Sequence, residues 1–236
     1  MLLPAFLFDL DGTLVDTAPD LLAALNAVLD SEGRPRIDPQ TLRHMVGHGA
    51  RALIERAMAA TGVPVAGDRL PLLVDRFIGH YRGHLTDNSL PFPDVAEVLS
   101  DLRSQGAPLA VLTNKPQELT VPILDALNLS QYFGVICGAG RYSFNKPDAR
   151  VVAHVLDELG SSAKAAVMIG DSAVDVATAR AARIPVVLLS YGYTPEPPHK
   201  LGADAVVDAF TAVPQSALDL VCLNIQDKRE GLPSRS

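Results

Sequence analysis

A chain of 236 residues that is 48% hydrophobic is long enough to bury a sizeable core, and suits one large domain or a core with a smaller insert. A net charge of −7 without any basic stripe argues against a nucleic-acid partner. No apolar run reaches the length of a membrane span, and Cys137 and Cys222 stand far apart with no metal or redox spacing, which fits the reducing cytoplasm.

The apolar residues 5–8 read as a buried strand that ends in Asp9-Leu10-Asp11-Gly12-Thr13. Residues 1–8 lack a basic leader region and run straight into Asp9, so they read as a core strand and not as a signal peptide. Strand side chains alternate, which puts Asp9 and Asp11 on one side. The turn at Gly12 places them at the carboxyl end of the strand, where open α/β sheets hold their ligands. Two anions held together call for a divalent metal or a covalent step; the bland alternative is a turn that happens to contain Asp.

Asp16 or Thr17 can cap a helix with Pro19 in its first turn. Leu21, Leu22, Leu25, Val28 and Leu29 continue it at helical spacing until Gly33-Arg34-Pro35. Helices are also predicted at residues 39–45, from near Gly49, and at about 70–82, with no convincing strand among them. Residues 16–90 therefore read as a helical cap, which Pro91-Phe92-Pro93 ends. Beyond it, apolar strands at 108–112, 134–137, 165–169, 185–189 and 205–207 alternate with helices at 94–105, 116–127, 148–159, 174–182 and 211–221. Such alternation predicts an α/β fold, a doubly wound parallel sheet with a Rossmann-like core, built from residues 1–15 and 91–223. The polar tail 224–236 is expected to be flexible.

Polar residues gather at the predicted strand ends. Thr113-Asn114-Lys115-Pro116 joins a hydroxyl, an amide and a helix start, which reads as a phosphate site, as a helix cap by Thr113 or Asn114, or as both. Lys146-Pro147 precedes another helix, and a lone lysine there says little by itself. Gly170-Asp171-Ser172 follows a strand, with Asp175 one helical turn on. A single Asp in such a loop is more often a cap. Here Asp9, Asp11, Asp171 and Asp175 would share one sheet edge, where their repulsion would be severe without a cation, and hard oxygen ligands favour Mg²⁺.

In order and spacing, the segments Asp9-Leu10-Asp11-Gly12-Thr13, Thr113-Asn114, Lys146-Pro147 and Gly170-Asp171 to Asp175 resemble the four motifs of the haloacid dehalogenase-like hydrolase superfamily. The resemblance covers about residues 4–208. Leu14-Val15-Asp16-Thr17-Ala18-Pro19, Val46-Gly47-His48-Gly49-Ala50 and Tyr191-Gly192-Tyr193 extend the likeness to its phosphatases of small phosphorylated acids. The chain departs from the pattern at Asp148-Ala149, where a residue followed by Pro is usual, and at His48, where relatives often carry Asn.

The resemblance implies a Mg²⁺-dependent phosphomonoester hydrolase. Asp9 would attack phosphorus to form an aspartyl-phosphate, and Asp11 would protonate the leaving alkoxide and then activate water. Mg²⁺ would sit on the Asp9 carboxylate, the Asp11 backbone carbonyl and the Asp171 carboxylate. Thr113, the Asn114 amide and Lys146 would hold the phosphoryl oxygens, with Asp175 orienting Lys146 or a metal-bound water. Tyr191 and Tyr193 read as packing residues.

The competing readings are a β-phosphoglucomutase-like isomerase, a phosphatase for another small sugar phosphate, a dehalogenase, which would not need Asp11, and a non-catalytic relative, which would be expected to lose one of the carboxylates. The expected partner is a small-molecule phosphate ester, with neither nucleic acid nor membrane, and the chain is expected as a monomer or homodimer. A two-carbon phosphorylated acid would also need its carboxylate read. Gly47, His48 and Arg51 are the candidates in the cap, with Lys115 in reserve; an ordinary helix start with a solvated Arg51 is the equal alternative.

Overall fold

Strand β1 (Ala5–Phe8) is buried along its whole length, and its side chains alternate between two apolar layers. Phe6 and Phe8 enter the layer that holds Leu99, Phe133 and Phe210. Ala5 and Leu7 enter the opposite layer, with Val152, Val155 and Met168. A strand that is apolar on both faces must lie inside a sheet covered on both sides. The computed structural model describes residues 3–65 and 67–230, with side chains described as far as residue 222.

In chain order β1 is followed by β2 (Val15–Asp16), α1 (Ala18–Ser31), α2 (Pro39–Arg43), α3 (Gly49–Ala60), α4 (Arg69–Arg82) and β3 (Leu90–Pro91). Then come α5 (Val95–Ser104), β4 (Leu109–Pro116), α6 (Gln117–Ala126), β5 (Val135–Ala139) and α7 (Ala149–Glu158). The chain continues through β6 (Ala166–Gly170), α8 (Ala173–Ala182), β7 (Val186–Leu189), β8 (Ala205–Val207) and α9 (Val213–Glu230). Six strands form one sheet in the order β5-β4-β1-β6-β7-β8, and every neighbouring pair in it is parallel.

The strand order reverses around β1, and open α/β sheets bind ligands at that switch point, beyond the carboxyl ends. Register makes this concrete. Phe8 is level with Val111 on one side and Ile169 on the other. Asp9, Thr113 and Asp171 therefore come together at the carboxyl edge of the sheet, with Thr113 still inside β4.

Helices α1 to α4 bury Leu25, Leu29, Ile54, Phe77 and Tyr81 against one another, and Leu119 and Tyr193 of the sheet domain join the same cluster. The two chain connections pair with each other. Val15 lies opposite Pro91 and Asp16 opposite Leu90, so β2 and β3 form a short antiparallel ribbon. Two-residue strands carry no period for a sequence pattern to show. Helix α9 also differs from the sequence expectation: it runs on to Glu230, past Asn224, because no Gly or Pro intervenes before Gly231. Residues 231–236 of the expected flexible tail lie outside the described residues. No described helix is long and apolar enough to cross a membrane.

Asp20, buried in α1, binds the return connection. Its carboxylate accepts from the amides of Asn88 and Ser89, from Asn88 Nδ2 and from the Ser89 hydroxyl, at 2.7–3.0 Å. Burial pushes its pKa up, but these donors more than offset it and hold the carboxyl below its ordinary 3.8. A lowered carboxylate pKa stabilises the fold above its unfolded value, and that stability is lost as pH falls through the folded value. Asp20→Ala is expected to cost about 2–3 kcal/mol in urea unfolding at neutral pH, and its difference from wild type should shrink below about pH 4.

Candidate active site

The last ladder bond of β1 runs from Asp9 N–H to Ile169 O at 2.9 Å, and the chain then turns at once. The amides of Thr13, Leu14 and Val15 converge on the Leu10 carbonyl, while Gly12 N–H donates to Val15 O at 3.0 Å. Gly12 has φ 84°, and a Cβ there would stand 2.5 Å from the Asp171 carboxylate. A second glycine, Gly192, packs so closely on Asp171 that a Cβ would lie 2.1 Å from the aspartate Cβ. Both positions exclude larger residues, and the acid is clamped between them.

Asp9 is still bonded to the sheet, and the turn after it carries Asp11 to a different partner. Asp9 Oδ1 accepts from the Leu10 amide at 2.7 Å and stands 3.0 Å from Lys146 Nζ. Asp11 Oδ1 accepts from Thr17 Oγ1 at 2.7 Å and from Lys115 Nζ at 2.9 Å. The two acids therefore face separate cations.

Lys146 Nζ also donates to Asp175 Oδ1 at 2.7 Å. Asp175 Oδ2 accepts from the amides of Asp171 and Ser172 and from the Ser172 hydroxyl, which completes a capping box on α8. Tyr193 N–H donates to Asp171 Oδ2 at 2.6 Å, and the Thr13 hydroxyl lies 3.3 Å from Asp171 Oδ1.

Carboxylate oxygens of Asp9, Asp171 and Asp175 lie within 4.8 Å of one another. Three buried acids share one ammonium, so the cluster is short of positive charge. Burial pushes Asp9 up to about 6; Lys146 opposes the shift, and Asp175 and Asp11 add to it. Burial, then Asp175 and Asp9, holds Asp171 well above the usual carboxylate range. Burial opposes the charge on Lys146, yet Asp175 and Asp9 keep its ammonium above the ordinary lysine value. A divalent cation would relieve both raised acids, and an all-oxygen donor set suits a hard one. Both oxygens of Asp175 are taken up by Lys146 and the capping box. Asp9 and Asp171 are the carboxylates with capacity for a cation, while the Asp11 carboxylate is turned away to Lys115.

Two clefts open between the cap and the sheet edge. One, of about 460 Å³, has a polar floor of Asp9, Asp11, Thr113, Asn114 and Lys115. Its cap wall is apolar apart from Tyr81, with Leu21, Val46, Leu53 and Phe77 facing in. The other, of about 640 Å³, shares Asp11 and Gly47, and is bordered by Asp171, Ser172, His48 and Arg56. Asn114 ties the two bodies together, its Nδ2 donating to Gly47 O and to Lys146 O at 3.2 Å each. Its buried Oδ1 has no partner among the described residues.

The cap residues need correcting. Gly47 borders both clefts and His48 only the second. Burial, then the neighbouring Arg56, pushes the His48 pKa down, so the ring is neutral at physiological pH. Arg51 borders neither cleft; it is 68% exposed and pairs with Glu55 one turn along α3 at 3.2 Å. Beside Asp9, Asp11, Thr113 and Asn114, the polar side chains that line the first cleft are those of Lys115 and Tyr81. The Thr-Asn-Lys-Pro segment signalled the lysine weakly. Nothing in the sequence marked the tyrosine, which lies near the end of an ordinary amphipathic helix.

Over residues 6–189 the sequence matches the haloacid dehalogenase-like hydrolase family, and the chain belongs to it. It is 50% identical to the phosphoglycolate phosphatase of Caulobacter vibrioides, covering 91% of this chain and 90% of that one. The phosphoglycolate phosphatase of Agrobacterium fabrum is 40% identical, with 89% and 90% covered. The crystal structure of a predicted phosphoglycolate phosphatase from Haemophilus somnus superposes with a TM-score of 0.85 at 30% identity, over 89% of this chain and 96% of that one. The chain is a phosphoric monoester hydrolase.

Raised acids at a cation site make binding pH-dependent, because the proton and the metal compete for the same oxygens. Without a cation, an acid whose folded pKa exceeds its ordinary 3.8 favours the fold at low pH and loses that contribution as pH rises toward about 6. Mg²⁺ is therefore expected to raise the melting temperature above about pH 7 and to have almost no effect below about pH 5. Differential scanning calorimetry with Mg²⁺ or EDTA checks this; a Mg²⁺ shift that does not vary with pH would contradict it.

Proposed function

We propose that this enzyme hydrolyses 2-phosphoglycolate in a Mg²⁺-dependent reaction that passes through an aspartyl-phosphate on Asp9. The observation that carries the reading is one cleft in which Asp9 and Asp11 sit beside Thr113 and Asn114, with Lys146 buried behind Asp9. The names borne by the relatives supply the substrate.

In the first step Asp9 Oδ2, the oxygen not held by Leu10 N–H and Lys146, attacks phosphorus. The bond from phosphorus to the ester oxygen breaks, and Asp11 delivers a proton to the departing alkoxide. In the second step water attacks the same phosphorus, Asp11 takes its proton, and the acyl-phosphate bond breaks to return Asp9 and release inorganic phosphate. Thr113 and the Asn114 amide stand at the sheet edge to hold phosphoryl oxygens, and Lys146 balances charge from below. Asp175 keeps Lys146 in place through its 2.7 Å contact. Mg²⁺, held by Asp9 and Asp171 with the Asp11 carbonyl, would neutralise charge between the carboxylate and the phosphoryl group. The apolar cap wall limits bulk water over the reacting atoms.

A sugar-phosphate mutase fits less well. Such an enzyme must seat a second phosphoryl dianion, whereas the cap wall of this cleft offers Leu21, Val46, Leu53 and Phe77 and no cation. Our reading places the reaction in the cytoplasm, where Cys137 and Cys222 would remain as the free thiols they are here.

Asp9→Asn should fold and bind substrate but lose turnover, since an amide is a poor nucleophile of nearly the same shape; phosphate release near the wild-type rate would overturn the covalent step. Asp11→Ala is expected to slow an alkyl phosphate by roughly 10²–10⁴-fold, with a smaller effect on the phosphorylation step for nitrophenyl phosphate, whose leaving group needs little acid help. Rapid-quench measurement with both substrates tests it. A screen of small phosphate esters with Mg²⁺ should rank 2-phosphoglycolate highest by kcat/KM.

A further inference from the structure

The first cleft poses a recognition problem. Phosphoryl-binding groups account for one end of a phosphorylated acid, and the cap residue expected to meet the other end, Arg51, points to solvent. Among the described residues lining this cleft, Lys115 is the one cation. We infer that Lys115 Nζ reads the carboxylate of the substrate's leaving portion, and that Tyr81 of the cap holds it in position for this. The inference rests on the proposed phosphatase function and deepens it by naming the group that selects the substrate class.

Four observations support it. Lys115 is only 4% exposed, yet it borders the cleft. Burial opposes its charge, and the Asp11 carboxylate and Tyr81 hydroxyl overcome this, so the ammonium stays protonated above the ordinary lysine range. Of its three N–H bonds, one goes to Asp11 Oδ1 and one to Tyr81 Oη, each at 2.9 Å. The third has no described partner. The remaining side chains of the wall, among them Leu21, Val46, Leu53, Phe77 and Leu119, carry no charge, and Gly47 and Gly49 add only backbone there. A charged donor among apolar walls discriminates strongly, because a substrate without a matching acceptor leaves it unsatisfied.

The geometry also sets chain length. The leaving oxygen must lie within hydrogen-bond reach of Asp11, and Lys115 Nζ is 2.9 Å from that same carboxylate. A carboxylate joined to the ester carbon through one C–C bond holds its nearer oxygen about 3 Å from the ester oxygen, which keeps it inside this small polar corner. A longer acid would drive its carboxylate toward the apolar cap wall. The site thus favours 2-phosphoryl derivatives of small 2-hydroxy acids over their 3-phosphoryl homologues.

Tyr81 contributes in two ways. Its hydroxyl accepts from Lys115, and its ring lies 4.5 Å from Nζ, within cation–π range. It belongs to α4, so the cap supplies one of the two groups that hold the cation, the core's Asp11 being the other.

The test uses the full-length enzyme with Mg²⁺ and three substrates: 2-phosphoglycolate, its one-methylene homologue 3-phosphonooxypropionate, and ethyl phosphate, which lacks the carboxylate. The quantity read is the ratio of kcat/KM between substrates, because loss of support for Asp11 slows all of them alike and cancels. Wild type should favour 2-phosphoglycolate over ethyl phosphate by roughly 10- to 100-fold, and Lys115→Met should bring the ratio close to one. Lys115→Gln keeps hydrogen bonds to Asp11 and Tyr81 without the charge, should give the same collapse, and carries the test if the methionine variant does not fold. Tyr81→Phe keeps the ring and should lower the ratio only in part. In an Asp9→Asn background, calorimetric binding of 2-phosphoglycolate should weaken on Lys115→Gln, with ethyl phosphate binding little changed. An unchanged substrate ratio in both Lys115 variants would overturn the inference while leaving the proposed function standing. A wild type that ignores 2-phosphoglycolate but hydrolyses another 2-phosphoryl acid in a Lys115-dependent way would overturn the proposed substrate and keep the inference.

Discussion

Three carboxylates and one ammonium, all but removed from water, form the knot that the rest of this molecule must accommodate. The side chain of Lys146 is 1% exposed, and those of its partners Asp9 and Asp175 are 6% and 0% exposed. Buried charge is expensive unless it is paired and hydrogen-bonded, and here the count does not balance. Glycines at 12 and 192 give up side-chain volume so that Asp171 can enter, and the capping box of α8 satisfies Asp175 with amides. The remaining negative charge suits the sheet edge to hold a divalent cation, which would restore neutrality. Local strain and chemistry share one cause: acids are held where water cannot solvate them.

The cap does more than cover this edge. Three of the cap–core contacts end on atoms one step from the chemistry. Asn114, beside the phosphate loop, donates to the Gly47 carbonyl. Tyr81 contacts the lysine that pairs with Asp11. Arg43 of α2 pairs with Asp16 at 3.0 Å and lies over the Tyr193 ring, whose backbone amide holds Asp171. The β2–β3 ribbon joins the two connections directly, so the two chain crossings are paired with each other. In this arrangement cap position and the state of the acidic cluster are not independent, which is the physical requirement for a lid that completes a site as it closes.

The cleft's asymmetry explains how a small pocket can be selective. Its floor is polar and charged, while its cap wall is nearly all hydrocarbon. Such a wall cannot compensate a misplaced polar group, so the few donors on the floor decide what fits. Exposed residues such as Arg51 look more available, but a guanidinium paired with Glu55 in solvent gains little by binding and is screened by salt.

Much of this was legible in the sequence, for reasons of range. Strand alternation in residues 5–8, glycine and proline breakers, and helical periodicity all act between near neighbours, so the alternating sheet domain and the helical insert could be read directly. The topological rule that ligands gather at strand carboxyl ends then brought Asp9, Thr113 and Asp171 together on paper. What only the tertiary structure decided were the pairings. Asp11 meets Lys115 across 104 residues and Asp20 meets Ser89 across 69, and no local pattern encodes either. The turn after Asp9 leaves both acids in one cleft but gives each a different lysine, and packing turned Arg51 out while it drew Lys115 and Tyr81 in. Local backbone preference is written in adjacent residues; the partner a buried charge finds is set by which elements pack together.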